Sequence, residues 1–200
     1  MEEKYLNDIS EIKSMMSKSS QFISLSGFAG IIAGIYAIVG AYIVNQLITK
    51  HEGPITFKDE TFQSIVITAF LVLFLSVITA ILLTYRNGLK KGEKIWNPTF
   101  RRMAVNFLIP LLSGGLFALL LIKKEYYELV APVTLLFYGL ACVNASKYTF
   151  RDVRYLGITC VILGIIATEF LYNGLLFWTL GFGVAHILYG AIMHFKYDRK

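Results

Sequence analysis

Few residues in this 200-residue chain are both chemically capable and placed where water is scarce. His186 is the foremost. It lies past the middle of a long apolar run, and an imidazole titrates near neutral pH, so it could serve as a proton-responsive switch. The other reading is a neutral ring bonded to one hydroxyl or carbonyl, with Tyr36, Tyr138 and Thr179 as conceivable partners. Asn144 and Asn106 fall near the ends of two further runs. Glu169 stands beside a turn, where a carboxylate can reach the surface. A proton relay needs several such groups in a chain, and these sit at different depths. Cys142 and Cys160 flank one basic loop at similar distances, so they should lie at similar depth on adjacent spans. Buried thiols are usually small apolar fillers; a redox pair is the alternative, which a reducing compartment disfavours.

Catalytic signatures are missing from the sequence. It contains no HExxH, no nucleophile elbow, no paired carboxylates within a span and no Cys/His cluster of ligand spacing. There are only three histidines, and His51 and His194 fall on opposite sides of the topology derived below. The expectation is a non-enzymatic protein with no cofactor and no metal.

The elements that carry these residues follow from composition. Hydrophobic residues make up 56 % and charged residues 16 %, with a mean hydropathy of +0.61. Soluble domains are nearer 45–50 % apolar and about 25 % charged. A chain of this length cannot bury so much apolar surface from water, so lipid must be its solvent. About 20 helical residues cross about 30 Å of hydrocarbon. The apolar runs predict an all-α bundle of six spans, at 22–47, 62–85, 103–122, 129–146, 155–171 and 175–195. Tyr172-Asn173-Gly174 supplies the turn that divides the last long run into a hairpin. Residues 1–20 are polar and of mixed charge, so no cleavable signal is expected ahead of the first span.

Lysine and arginine set the orientation, because cytoplasmic loops retain positive charge. One side holds only Lys50, Lys58, Lys123 and Lys124 of the 19 basic residues. The rest lie in the N-terminal arm, the second loop, the fourth loop and the tail, which places both termini in the cytoplasm. One missed span would reverse every later loop, so the asymmetry supports the count of six. The net charge of +6 is read as this topology signal rather than as a nucleic-acid footprint.

Residues 1–20 form a cytoplasmic arm, and 21–200 the membrane domain. In the arm Leu6, Ile9, Ile12 and Met16 share one helical face, which suggests a short amphipathic helix, either a partner-docking element or a juxtamembrane stabiliser. The second loop concentrates Lys90, Lys91, Lys94, Arg101 and Arg102 beside Trp96. It reads as the topology signal itself, or as a contact for anionic lipid or an acidic protein partner.

Leu25-Ser26-Gly27, Gly34-Ile35-Tyr36-Ala37 and Tyr42 in the first span align without a gap to Tyr155-Leu156-Gly157, Gly164-Ile165-Ile166-Ala167 and Tyr172 in the fifth. The third span, with Ser113-Gly114-Gly115 and Ala118, fits loosely. Three parallel hairpins are the implied repeat. The run from Leu156-Gly157 through Gly164-Ile165-Ile166-Ala167, Asn173-Gly174, Leu180-Gly181, Gly183 and Tyr189-Gly190 resembles the hairpin of the HdeD family of acid-resistance membrane proteins. That resemblance covers about the last 45 residues well and the first span in part. It implies a six-span inner-membrane protein with no catalytic residues. The long second loop and the arm depart from the family pattern.

Small residues at Gly30, Gly34, Ala33, Ala37 and Ala41, and at Gly181 and Ala185, permit close helix approach, either within the bundle or at an oligomer seam. Pro110 and Pro132 are expected near the starts of their spans, where a proline costs little. The functional expectation is a structural or stress-related envelope protein acting through packing and partner contacts. The alternatives are a small-solute or proton-linked transporter or channel subunit, for which His186 and the repeat are the motive, and a membrane enzyme.

Overall fold

The computed structural model describes residues 21–53, 55–56, 59–92 and 96–198. The expected amphipathic arm and Lys94 lie outside these residues. Among the described residues the chain is helical and contains no strand. Six helices carry it: α1 (Gly27–Lys50), α2 (Glu60–Lys90), α3 (Pro98–Lys123), α4 (Val130–Ala145), α5 (Asp152–Glu169) and α6, a continuous helical stretch over Leu171–Asp198. Five of them, all but α5, are long and apolar enough to cross a membrane, α4 when taken with the 3₁₀ turn Tyr127–Leu129 that leads into it. The protein is a multi-pass membrane protein. α5 is only 18 residues long and holds Asp152, Arg154 and Glu169 within them, whereas the longer helices keep an apolar stretch clear of their terminal charges.

Lipid accounts for the side-chain distribution. Along the hydropathic stretch of α2 no residue is buried, and Phe70, Leu73 and Ile81 are each at least 60 % exposed. In water such a surface would aggregate. In hydrocarbon it is solvated, and helix association depends on close backbone approach instead.

The helices pack in the spatial order α2–α1–α6–α5–α4–α3, and the two most extensive seams are α4–α5 and α1–α6. α2 and α3, consecutive in sequence, scarcely meet. Both main seams are built on glycine. A Cβ at Gly157 would lie 2.6 Å from the Gly139 carbonyl, and one at Gly139 would lie 2.5 Å from the Gly157 carbonyl. In the other seam a Cβ at Gly34 would lie 2.6 Å from the Gly183 carbonyl, and one at Gly190 would lie 2.7 Å from the Gly27 carbonyl. Thus Gly27 and Gly34 do on α1 against α6 what Gly157 and Gly164 do on α5 against α4. The aligned glycines are a packing repeat. Gly30, Gly34, Ala37, Ala41 and Ala185 are taken up within one chain in the same way.

Several helix boundaries differ from expectation. The first helix begins at Gly27, and residues 22–26 are an extended strap. Pro132 lies in the first turn of α4 as expected. Pro110, by contrast, lies well inside α3, because that helix starts at Pro98. It therefore removes a helical hydrogen bond to the Asn106 carbonyl, while the nearby Ile109 carbonyl accepts the Ser113 hydroxyl at 2.8 Å. The turn at Leu171–Asn173 is a single 3₁₀ turn, and helix resumes at Gly174.

Candidate functional site

His186 is 8 % exposed and sits just after a widened, π-helical segment, Thr179–Ala185. Such widening aligns residues five apart. The Gly181 carbonyl consequently lies 2.9 Å from His186 Nδ1, while Nε2 lies 2.7 Å from the Tyr138 hydroxyl of α4. A carbonyl can only accept, so Nδ1 carries the proton and Nε2 accepts from Tyr138. Both ring nitrogens of a neutral imidazole are then satisfied. Phe182 stacks on the ring at 5.8 Å and Tyr138 packs at 5.3 Å. Of the three conceivable partners, Tyr138 is the one used. Thr179 instead donates to the Leu175 carbonyl.

The other expected residues do not join this pair. Glu169 is exposed at the end of α5, and Asn144 is half-buried near the end of α4 with its backbone carbonyl accepting from Lys147. Asn106 donates to the Arg102 carbonyl one turn back. Cys142 and Cys160 are both buried thiols, on α4 and α5.

A larger polar cluster lies at the end of the bundle where α1, α3 and α5 begin. Its centre is the strap. Phe22 and Ser24 are fully buried, yet an extended segment leaves its carbonyls without helical donors. Neighbouring elements supply them. Thr149 Oγ1 donates to the Phe22 carbonyl at 2.7 Å, Lys91 Nζ to the Ile23 carbonyl at 3.0 Å, and Asn87 Nδ2 to the Ser24 and Leu25 carbonyls at 3.2 Å. Phe22 N–H in turn donates to the Tyr148 carbonyl at 2.7 Å.

The same end holds a part-buried carboxylate. Asp198 Oδ2 accepts from Gly27 N–H at 2.9 Å and lies 3.2 Å from His194 Nδ1, while its Oδ1 accepts from Asn87 at 3.2 Å. Ser26, at the N-cap position, makes no side-chain cap of its own. Asp198 replaces it, bringing an anion to the positive end of the α1 dipole. Beside it Lys196 Nζ and the Tyr197 hydroxyl donate to Asp152 Oδ2 at 2.9 and 2.6 Å. Burial acts to raise the Asp152 carboxyl, but the bonds from Tyr197 and Lys196 outweigh it and hold it below its ordinary value.

The basic loop residues separate into two groups. Lys91 turns inward, bonding the Ile23 and Tyr197 carbonyls with the Phe150 ring 5.9 Å from its ammonium. Lys90, Arg101 and Arg102 remain exposed.

Sequence reasoning overlooked Asp198, Asn87 and Thr149. The one local signal was His194 four residues before Asp198, a spacing that puts both on one helical face. Among the described residues no three of His, Cys, Asp and Glu gather as metal ligands would. No family model, curated protein or solved structure matches the chain.

Proposed function

We propose that this chain is a six-span protein of a bacterial inner membrane, with both termini cytoplasmic, and that its role is structural or stress-related rather than catalytic. The supporting observation is how its polar groups are spent. His186 has both nitrogens bonded internally, and Asp198, Asn87, Lys91 and Thr149 clamp the strap. A transport site would keep such groups facing a hydrated path.

Six crossings are supported by packing. α5 lies between α4 and α6, and its charges stand only at its two ends. Its 18 residues rise about 27 Å, close to the hydrocarbon thickness. The distribution of lysine and arginine supports the cytoplasmic placement of the strap end. The likeness of residues 156–190 to the HdeD hairpin supports the envelope reading.

Two measurements test these points. In a Cys142→Ser/Cys160→Ser background, Gly92→Cys should react with a membrane-impermeant maleimide only after the cells are opened; labelling of intact cells would reverse the topology. In proteoliposomes the protein should conduct protons no faster than protein-free vesicles. A flux abolished by His186→Ala would establish the transporter reading in its place.

A further inference from the structure

We infer that the first turns of α3 form a binding recess for the headgroup of an anionic glycerophospholipid. The recess measures about 590 Å³ and is lined by Trp96, Asn97, Pro98, Arg101, Arg102, Val105 and Asn106. Arg101 and Arg102 are exposed, and neither guanidinium has a hydrogen-bonded or ionic partner among the described residues. Two guanidinium groups lining one recess suit a phosphodiester, whose oxygens accept several donors at once.

The wall is held in place. Trp96, 85 % exposed, packs edge-on against Phe100 at 5.4 Å, and Phe100 packs on buried Phe22 of the strap at 5.1 Å. An indole so placed suits the bilayer interface. The Asn97 side chain is committed to capping Phe100 N–H. Asn106, whose amide nitrogen donates to the Arg102 carbonyl, keeps its oxygen as an acceptor for a headgroup hydroxyl.

A lipid rather than a free phosphate is indicated by what continues below. Val105, Ile109, Leu112 and Leu116 follow one face of α3 at helical spacing, each 49–65 % exposed. An acyl chain can lie along that stripe while its phosphate meets the arginines. The inference rests on α3 crossing the membrane and not on which compartment the strap end faces. It narrows the basic-loop contact from five residues to two, with Lys91 committed to the strap.

The test uses the full chain with Trp178→Phe, which leaves Trp96 as the sole tryptophan of the two in the sequence. In nanodiscs of phosphatidylcholine doped with phosphatidylglycerol carrying bromine near the headgroup, Trp96 fluorescence should be quenched at low mole fraction. Brominated phosphatidylcholine should need far more. Arg101→Gln/Arg102→Gln should weaken the phosphatidylglycerol preference by about thirtyfold, from two basic side chains near a lipid surface. Arg151→Gln/Arg154→Gln removes the same charge from the same end of the bundle and should change it less than about threefold. Equal losses from the two pairs would mean diffuse charge attraction and would overturn the inference. So would reversal of quenching by millimolar inorganic phosphate, or equal quenching by both lipids. Unchanged thermal protection of Cys142 and Cys160 from a thiol-reactive dye shows that each variant is folded.

Discussion

The α4–α5 seam offers the most direct test of how this bundle is held together. Gly157→Ala adds one methyl group where nothing can yield. The new Cβ would stand 2.6 Å from the Gly139 carbonyl oxygen and 2.9 Å from Val143 N, whereas ordinary contact begins at 3.4 Å. Both obstructing atoms are backbone, so the helices must part by about 0.8 Å near the substitution. A gap of that size forfeits a quarter to a half of each dispersion contact along the seam, and in lipid no hydrophobic term compensates. Overpacking of this kind costs about 1–3 kcal/mol, and the rigidity of both partners argues for the upper half. For a chain of this length that is a fall in Tm of about 4–12 °C. Gly115→Ala is the control. A Cβ there meets nothing within 4 Å, so the better helix former should leave stability unchanged or raise it slightly. Cys142 and Cys160, 2 % and 0 % exposed on either side of this seam, are built-in reporters: a thiol-reactive dye becomes fluorescent as the seam opens. Equal melting of wild type and Gly157→Ala, or a larger loss for Gly115→Ala, would refute backbone contact as the force in this seam.

Other perturbations follow from the same geometry. Tyr138→Phe strands His186 Nε2 without a donor and should destabilise by about 1–3 kcal/mol; a double-mutant cycle with His186→Phe should show coupling between the two, and additive effects would contradict the bond. Asp198→Asn weakens the α1 cap and should lower stability by about 1–2 kcal/mol, with amide exchange at Gly27 accelerated. Thr149→Val leaves the buried Phe22 carbonyl unpaired and should cost about 1–3 kcal/mol, detected as protease sensitivity after residue 21. Asp152 is held below its ordinary value, so its contribution is complete above the unfolded pKa near 3.9 and is lost as pH falls through the lower folded value. The stability deficit of Asp152→Asn should therefore be constant from neutral pH to about pH 5 and shrink in stronger acid; a deficit that grows on acidification would reverse the assignment.

Hydropathy made the five long apolar helices legible because a membrane imposes a length on every crossing. The α1–α5 glycine alignment was legible for a related reason: close backbone approach tolerates only one residue type, so it leaves a mark. The strap was not legible. Residues 22–26 are as apolar as the helix that follows, and only donors far along the chain, Asn87, Lys91 and Thr149, make an extended path tolerable there. Pro110 was misplaced because charge at Arg101 and Arg102 moved the expected start of α3 inward, while the helix itself begins at Pro98. His186 was visible as a buried polar residue, but its π-turn neighbour Gly181 was not, since helical widening has no simple sequence signature.

The Asp198 cap has a consequence for how the protein is made. Gly27 emerges from the ribosome 171 residues before Asp198. At about 5–20 residues per second, the amino end of α1 waits roughly 10–30 s for its carboxylate. Until Asp198 is made, the leading N–H groups of α1 lack this cap, so the first helix is completed only by a residue far along the chain.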